Sequence, residues 1–314
     1  MTEKKESKFN EGQSRLSIFD TFGLQKLNIS FQIPSIAFCL TILSTTGFSQ
    51  SFKGIVRDYT TKEILPYANI GVSKKNIGGI SDQTGTFQVD LSRATGGDTV
   101  VISYIGYIPH ALPISKLDLS QKYVIDLKQA SQLLKEVIIR SKPEIIILGN
   151  KSKTNRHTGW GDLSSSRGRA IGLVIKTPDV SLKINKLFFH INACEFDSAR
   201  VRINFLKVED GNLESFESQK QNIFLTIHKR KGWIEVPLLE DIVLRKENVI
   251  VAIEWLDAWA KPRAIDEGGS YLFTLSLAHA RGSHYIRQTP EESIQLITSE
   301  FTPSIYLECF AIRD

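Results

Sequence analysis

Val100-Val101-Ile102-Ser103-Tyr104-Ile105-Gly106-Tyr107 is an apolar, β-branched run of strand length that ends in a glycine between aromatic residues. Such a run reads as a buried strand closed by a turn. The segments before it fit a small antiparallel sandwich. Gly54-Ile55-Val56-Arg57-Asp58 alternates and meets the polar turn Tyr59-Thr60-Thr61-Lys62-Glu63. Leu65-Pro66-Tyr67-Ala68-Asn69-Ile70 opens a strand with its proline at the edge, where a missing N–H is tolerated. Ile80 to Val89 reads as a hairpin-like unit with Gly85 at the tight position.

Taken in order, these motifs carry a family resemblance. Gly-x-Val-x-Asp, Leu-Pro-Tyr-Ala-Asn-Ile, Ser-Asp-x-x-Gly-x-Phe, Ser-Tyr-Ile-Gly-Tyr and Leu134-Lys135-Glu136-Val137 together resemble the carboxypeptidase-D regulatory-like domain of Bacteroidetes-type cell-envelope proteins, over residues 52–139. The resemblance implies a seven-stranded, transthyretin-like (prealbumin-like) sandwich. It also implies an accessory module without peptidase residues, either fused to outer-membrane TonB-dependent receptors or standing beside another domain.

The remainder of the 314-residue chain is long enough for a second domain of ordinary size. Short apolar runs spaced by Gly, Asn and Ser make the whole chain all-β. The net charge of +5 is interleaved in sign along the chain, which reads as a solvated surface and not as a nucleic-acid footprint. Residues 1–49 read as a leader. Ile33 to Phe48 is apolar, follows Lys26 and ends in Gly47-Phe48-Ser49, the pattern of a secretory signal peptide with a mature start near Gln50. The apolar run is shorter than the roughly 20 residues of a membrane helix. The expected location is therefore exported, periplasmic or outer-membrane associated. The residues after 139 are too few for a TonB-type barrel, which needs some 20 strands of ~10 residues.

Residues 140–180 read as a transition, with the loop-like Gly159-Trp160-Gly161-Asp162-Leu163-Ser164-Ser165-Ser166-Arg167-Gly168. Gly161-Asp162-Leu163-Ser164 is superficially similar to an esterase box, but its serine does not follow the aspartate directly. Residues 181–314 carry about eight strand-like runs and read as a second β-sandwich of jelly-roll type. Arg200-Val201-Arg202-Ile203-Asn204-Phe205 alternates strictly, with Arg200, Arg202 and Asn204 expected outside. Cys194 and Cys309 are either one disulfide or two buried thiols.

Chemistry-bearing patterns are sparse. The six histidines form no His-x-x-x-His spacing, so neither a metal nor a cofactor is expected. His279 and His284 read as ordinary loop histidines, and Glu254 and Asp257 as solvent-facing carboxylates at a strand end. The candidate ligand-binding cluster is aromatic: Trp255, Asp257, Trp259 and Tyr271, with Trp160 from the glycine-rich loop. Exposed aromatic faces stack on pyranose rings while polar neighbours bond the hydroxyls. The alternative places Trp255 in the core and Trp259 over a sheet edge. The expected function is a non-enzymatic envelope accessory or binding protein whose partner is an envelope protein or a glycan. A hydrolase acting on glycans or peptides through residues 141–314, or a carbohydrate-binding module there, is the other reading.

Overall fold

The computed structural model describes residues 50–130, 144–160, 167–209, 212–215, 219–228, 231–238, 240–245, 248–260, 272–289 and 295–312. The leader, Leu133 to Ile139, the Gly161–Ser164 segment and Tyr271 lie outside these residues. Among the described residues the regular structure is strand, apart from one 3-10 turn at Ile114–Lys116, and no helix is long and apolar enough to cross a membrane.

Seven strands build the first sandwich: β1 (Ser51–Asp58), β2 (Asn69–Val72), β3 (Gly78–Ile80), β4 (Thr86–Asp90), β5 (Thr99–Ser103), β6 (His110–Pro113) and β7 (Lys122–Leu127). One layer runs β4-β1-β7 and the other β3-β2-β5-β6. Only the β1–β7 pairing is parallel. Phe52, Val56, Ile70, Phe87, Val100, Ile102, Ile125 and Leu127 fill the space between the layers. The alternation of β1 follows directly from its period-2 pattern. Gly54 keeps that face open, because a Cβ there would collide with the Phe87 ring and the Tyr123 carbonyl oxygen.

The Ile80–Val89 segment is a corner, not a hairpin, since β3 and β4 belong to different layers. The Asp82 carboxylate accepts the backbone N–H groups of Thr84 and Thr86, at 2.7 and 3.0 Å. Gly85 completes the bend at φ +72°. A local Asx turn thus carries the chain between layers where a hairpin would have kept it in one. Asp58 ties two distant motifs together: it accepts the amides of Thr60 and Thr61 and the Tyr107 hydroxyl at 2.8 Å. Those bonds, the Thr61 amide first, hold its carboxyl below the usual carboxylate range.

Thirteen strands follow: β8 (Ile145–Gly149), β9 (His157–Trp160), β10 (Ala170–Ile175), β11 (Ser181–Cys194), β12 (Ser198–Glu209), β13 (Asn212–Ser215), β14 (Ile223–His228), β15 (Gly232–Val236), β16 (Val243–Arg245), β17 (Val249–Trp259), β18 (Phe273–Arg287), β19 (Gln295–Pro303) and β20 (Ile305–Ala311). Three of them lie within the stretch read from sequence as a transition. The apolar runs Ile145–Leu148 and Ala170–Ile175 were its strand signals, masked by the glycine and serine between them. Trp160 itself ends a strand, paired to Phe273.

One layer contains β8, β20, β11, β15, β16 and β9, the other β13, β12, β14, β17, β10 and β19. β18 serves both. Its first residues pair with β9 and β11, and the remainder with β19 and β10, with a register shift between His279 and Gly282. His279 and His284 are therefore strand residues, and His279 stacks on Phe301 at 4.9 Å. In β11 a register shift between Ile184 and Lys186 resets the alternation, so Leu182, Ile184, Leu187, Phe189 and Ile191 all face the core. Cys309 pairs with Ile184 and Cys194 with Phe273 at the other end of β11. Ten residues of strand, about 33 Å, separate those positions, far beyond disulfide reach. Both cysteines are buried without a disulfide, and burial pushes the Cys309 thiol up to about 12.

Candidate functional site

β17 decides how the two sandwiches meet. Val249, Val251, Ile253 and Trp255 point into the second core. The alternate residues Ile250, Ala252, Glu254 and Leu256 point the other way, and they are buried too. Leu256 is covered from the first sandwich, by Tyr67 and Ile80, whereas Ile250 and Ala252 pack with Ala170, Leu206 and Tyr285 of the second. The neighbouring strand β12 shows the same pattern. Arg202 and Asn204, expected outside, are 1% and 5% exposed. They do point away from their own core. What period-2 alternation could not reveal is that a second domain sits on that face.

At the centre of this seam is a buried charge cluster. Arg202 forks onto Glu254 through two bonds of 2.8 Å. Arg287 reaches the same carboxylate at 2.7 Å and Asn204 donates to it at 2.8 Å. The rest of the Arg202 guanidinium crosses to the first sandwich. There it donates to the Tyr67 carbonyl at 2.7 Å and the Asn69 side-chain oxygen at 2.6 Å, and within its own sandwich to the Asn222 side-chain oxygen at 3.2 Å. Tyr67 stands at φ +59°, an uncommon conformation for a residue with a side chain. The Leu-Pro-Tyr-Ala-Asn motif thus presents its backbone to the partner sandwich. Burial alone would raise the Glu254 pKa; the two guanidiniums outweigh it and hold the carboxyl below its ordinary value. Glu254 is therefore an ionised structural carboxylate, not a solvent-facing one.

Beside the charge cluster lies a cavity of about 480 Å³, within the size range of small-ligand sites. The Tyr104–Tyr107 loop and Gln129 line it from the first sandwich, and Lys220, Asn222 and Phe224 from the second. Burial pushes the Tyr104 and Tyr107 phenols up, so both remain protonated donors. The lining offers hydroxyls, amides and ring faces, a set that binds through hydrogen bonds and stacking. Gly106, at φ +85°, meets the Lys220 carbonyl so closely that a Cβ would overlap it. Gly106→Ala is expected to cost about 1–3 kcal/mol through the forced left-handed backbone and this clash. A lowered thermal midpoint and faster proteolytic cleavage between the sandwiches would show it; an unchanged midpoint would refute the close docking.

Of the residues singled out from sequence, Tyr271 lies outside the described residues, and the structure brings two of the others, Trp160 and Trp255, together. Trp160 and Trp255 are 3% and 0% exposed and stack on each other in the second core, 5.8 Å apart at 18°. Phe196 and Phe273 complete that cluster. An exposed role is thereby corrected for these two indoles: the core alternation of β17 takes Trp255 inward, and pairing with Phe273 draws Trp160 after it. A bulge at Leu256 turns Asp257 outward, where it bonds Arg167 at 3.1 Å. Trp259 emerges at the strand end, 40% exposed. The seam residues Tyr67, Arg202 and Glu254 were missed, although an alternating strand beside a largely apolar strand with Glu254 in its middle was a signal for a second covered face.

Residues 52–139 match the CarboxypepD_reg-like domain. The seven-stranded sandwich and the Asp58–Tyr107 link describe how that domain's motifs cohere here. The chain is also similar to the TonB-dependent receptor SusC of Bacteroides thetaiotaomicron, at 36% identity over 118 residues, which is 37% of this chain and 11% of the receptor. The chain therefore spans about a tenth of the length of that relative. No solved structure matches it.

Proposed function

We propose that the chain is an exported, non-enzymatic binding protein of the cell envelope, in which a CarboxypepD_reg-like sandwich is locked onto a second β-sandwich that supplies binding surface. The observation that carries this reading is the seam. Tyr67, Asn69 and Gly106, all within the matched domain, bond or pack against Arg202 and Lys220. The module thus serves as a rigid mount for the second sandwich. The similarity to a TonB-dependent receptor supports an envelope setting, and the signal-like leader supports export. The carboxylates with the best claim to acid–base work are engaged otherwise, Glu254 with Arg202 and Arg287 and Asp257 with Arg167. A partner glycan or envelope protein would be met by the second sandwich or by the seam cavity.

Mass spectrometry of the mature protein from fractionated host cells tests the setting. A mature N-terminus near Gln50 in the envelope fraction is expected. An intact leader in the cytoplasmic fraction would overturn the reading.

A further inference from the structure

The outer face of the layer ordered β8, β20, β11, β15 carries a ring cluster remote in sequence from the seam residues. Cross-strand pairing sets Tyr306 beside Phe188 and His190 beside Trp233. Phe188 and Tyr306 stack at 4.7 Å. Trp233 meets both Tyr306 and His190 at 5.0 Å and nearly right angles. His190 is fixed by a 2.8 Å bond to the Ser276 hydroxyl. Tyr306 and His190 are buried, whereas Trp233 is 36% exposed. The indole thus closes the cluster and leaves ring surface to solvent, packed against the buried Tyr306 and His190.

Cations lie to one side of this cluster. The Lys151 ammonium lies 5.2 Å from the Tyr306 centroid. Lys153 and Lys231 are exposed, and their charges, after burial, depress the His190 pKa. Among the described residues Lys151, Lys153 and Lys231 form no ion pair, whereas Lys186 on the same face is matched by Glu235 at 3.1 Å. The acids whose charge reaches Tyr306 are Glu235 and Glu308, both beside Lys186. Lys151, Lys153 and Lys231 therefore leave this face with an excess of positive charge beside its rings, which favours an anion that also has a flat apolar face. An apolar protein cover would have to desolvate them without compensation. A neutral sugar would leave them unused.

We propose that this face binds an acidic polysaccharide, with Trp233 stacked on a pyranose ring and Lys151, Lys153 and Lys231 meeting the carboxylates. The proposal rests on the binding-protein reading and names its ligand class. Its test is made in vitro on the full chain, so its failure is distinct from a failure of export.

Polygalacturonate is titrated against the protein, read by indole fluorescence and by retardation in polysaccharide-containing gels, with neutral amylose as the comparison. Binding of polygalacturonate alone is expected, weakening steeply with salt. Trp233→Ala is expected to bind about tenfold more weakly, the loss of one stacked ring. Lys153→Gln with Lys231→Gln changes only exposed side chains, so it remains informative if Trp233→Ala fails to fold; it too is expected to weaken binding, with an unchanged thermal midpoint. No binding, equal binding of amylose, or wild-type affinity in the lysine variant would overturn the proposal. So would a protein ligand that occupies this face while polygalacturonate does not.

Discussion

Arg202→Ala is expected to lower the stability of the folded chain by about 3–5 kcal/mol, the cost typical of removing one partner from a buried ion pair. The loss has two sources. Glu254, fully buried, is left with Arg287 and Asn204 alone. Tyr67 and Asn69 lose the donors that bind the first sandwich to the second. Differential scanning calorimetry checks both. A lower midpoint follows from the first, and separation of one transition into two from the second. Adding Glu254→Gln to Arg202→Ala is expected to recover part of the loss, because a neutral amide is cheaper to strand than a carboxylate. An Arg202→Ala protein that melts like the wild type would contradict the assigned role.

The same cluster sets a pH dependence. The folded pKa of Glu254 lies below its ordinary value. Its stabilisation is therefore present above the unfolded value, about 4.3, and is lost as pH falls through the folded value. Acid titration of stability should accordingly be shallower in the Glu254→Gln background.

Trp255→Ala is expected to cost about 3–5 kcal/mol by opening a large cavity in the second core. Trp160, Phe196 and Phe273 all contact that indole, at 5.8, 5.3 and 5.5 Å between ring centres. Trp259→Ala, at an exposed strand end, is expected to stay within ~0.5 kcal/mol. Parallel urea melts of the two variants separate them. Equal losses would mean that Trp259 is packed, and no loss at Trp255 would mean that the core does not depend on it.

The first sandwich was legible because its information is local. Alternation in β1, the left-handed Gly85 and the Asx turn at Asp82 are all written within a few residues of where they act. The second sandwich was legible as strands but not as a site. β17 reads as an apolar run interrupted by Glu254 and, near its end, Asp257, and such a run announces burial on both faces without naming what covers them. Trp255 and Trp259 look alike in sequence. A one-residue bulge at Leu256 sends them to different environments, and a bulge has no fixed sequence signature. The ring cluster of Phe188, His190, Trp233 and Tyr306 combines three strands far apart in the chain, so no window of sequence contains it.

The sequence by itself determined the all-β class and which residues alternate, because side-chain period and turn chemistry are properties of neighbouring residues; the seven-stranded module was an implication of the resemblance that the motifs of residues 52–139 carry. Only the tertiary structure decided that the outer side of Arg202 and Glu254 is an interior, that Cys194 and Cys309 sit at opposite ends of one strand, and that Trp233 is the indole held open beside lysines. Each of those depends on which strand pairs with which and which layer lies on which, and those pairings join residues whose separation along the chain carries no local signal.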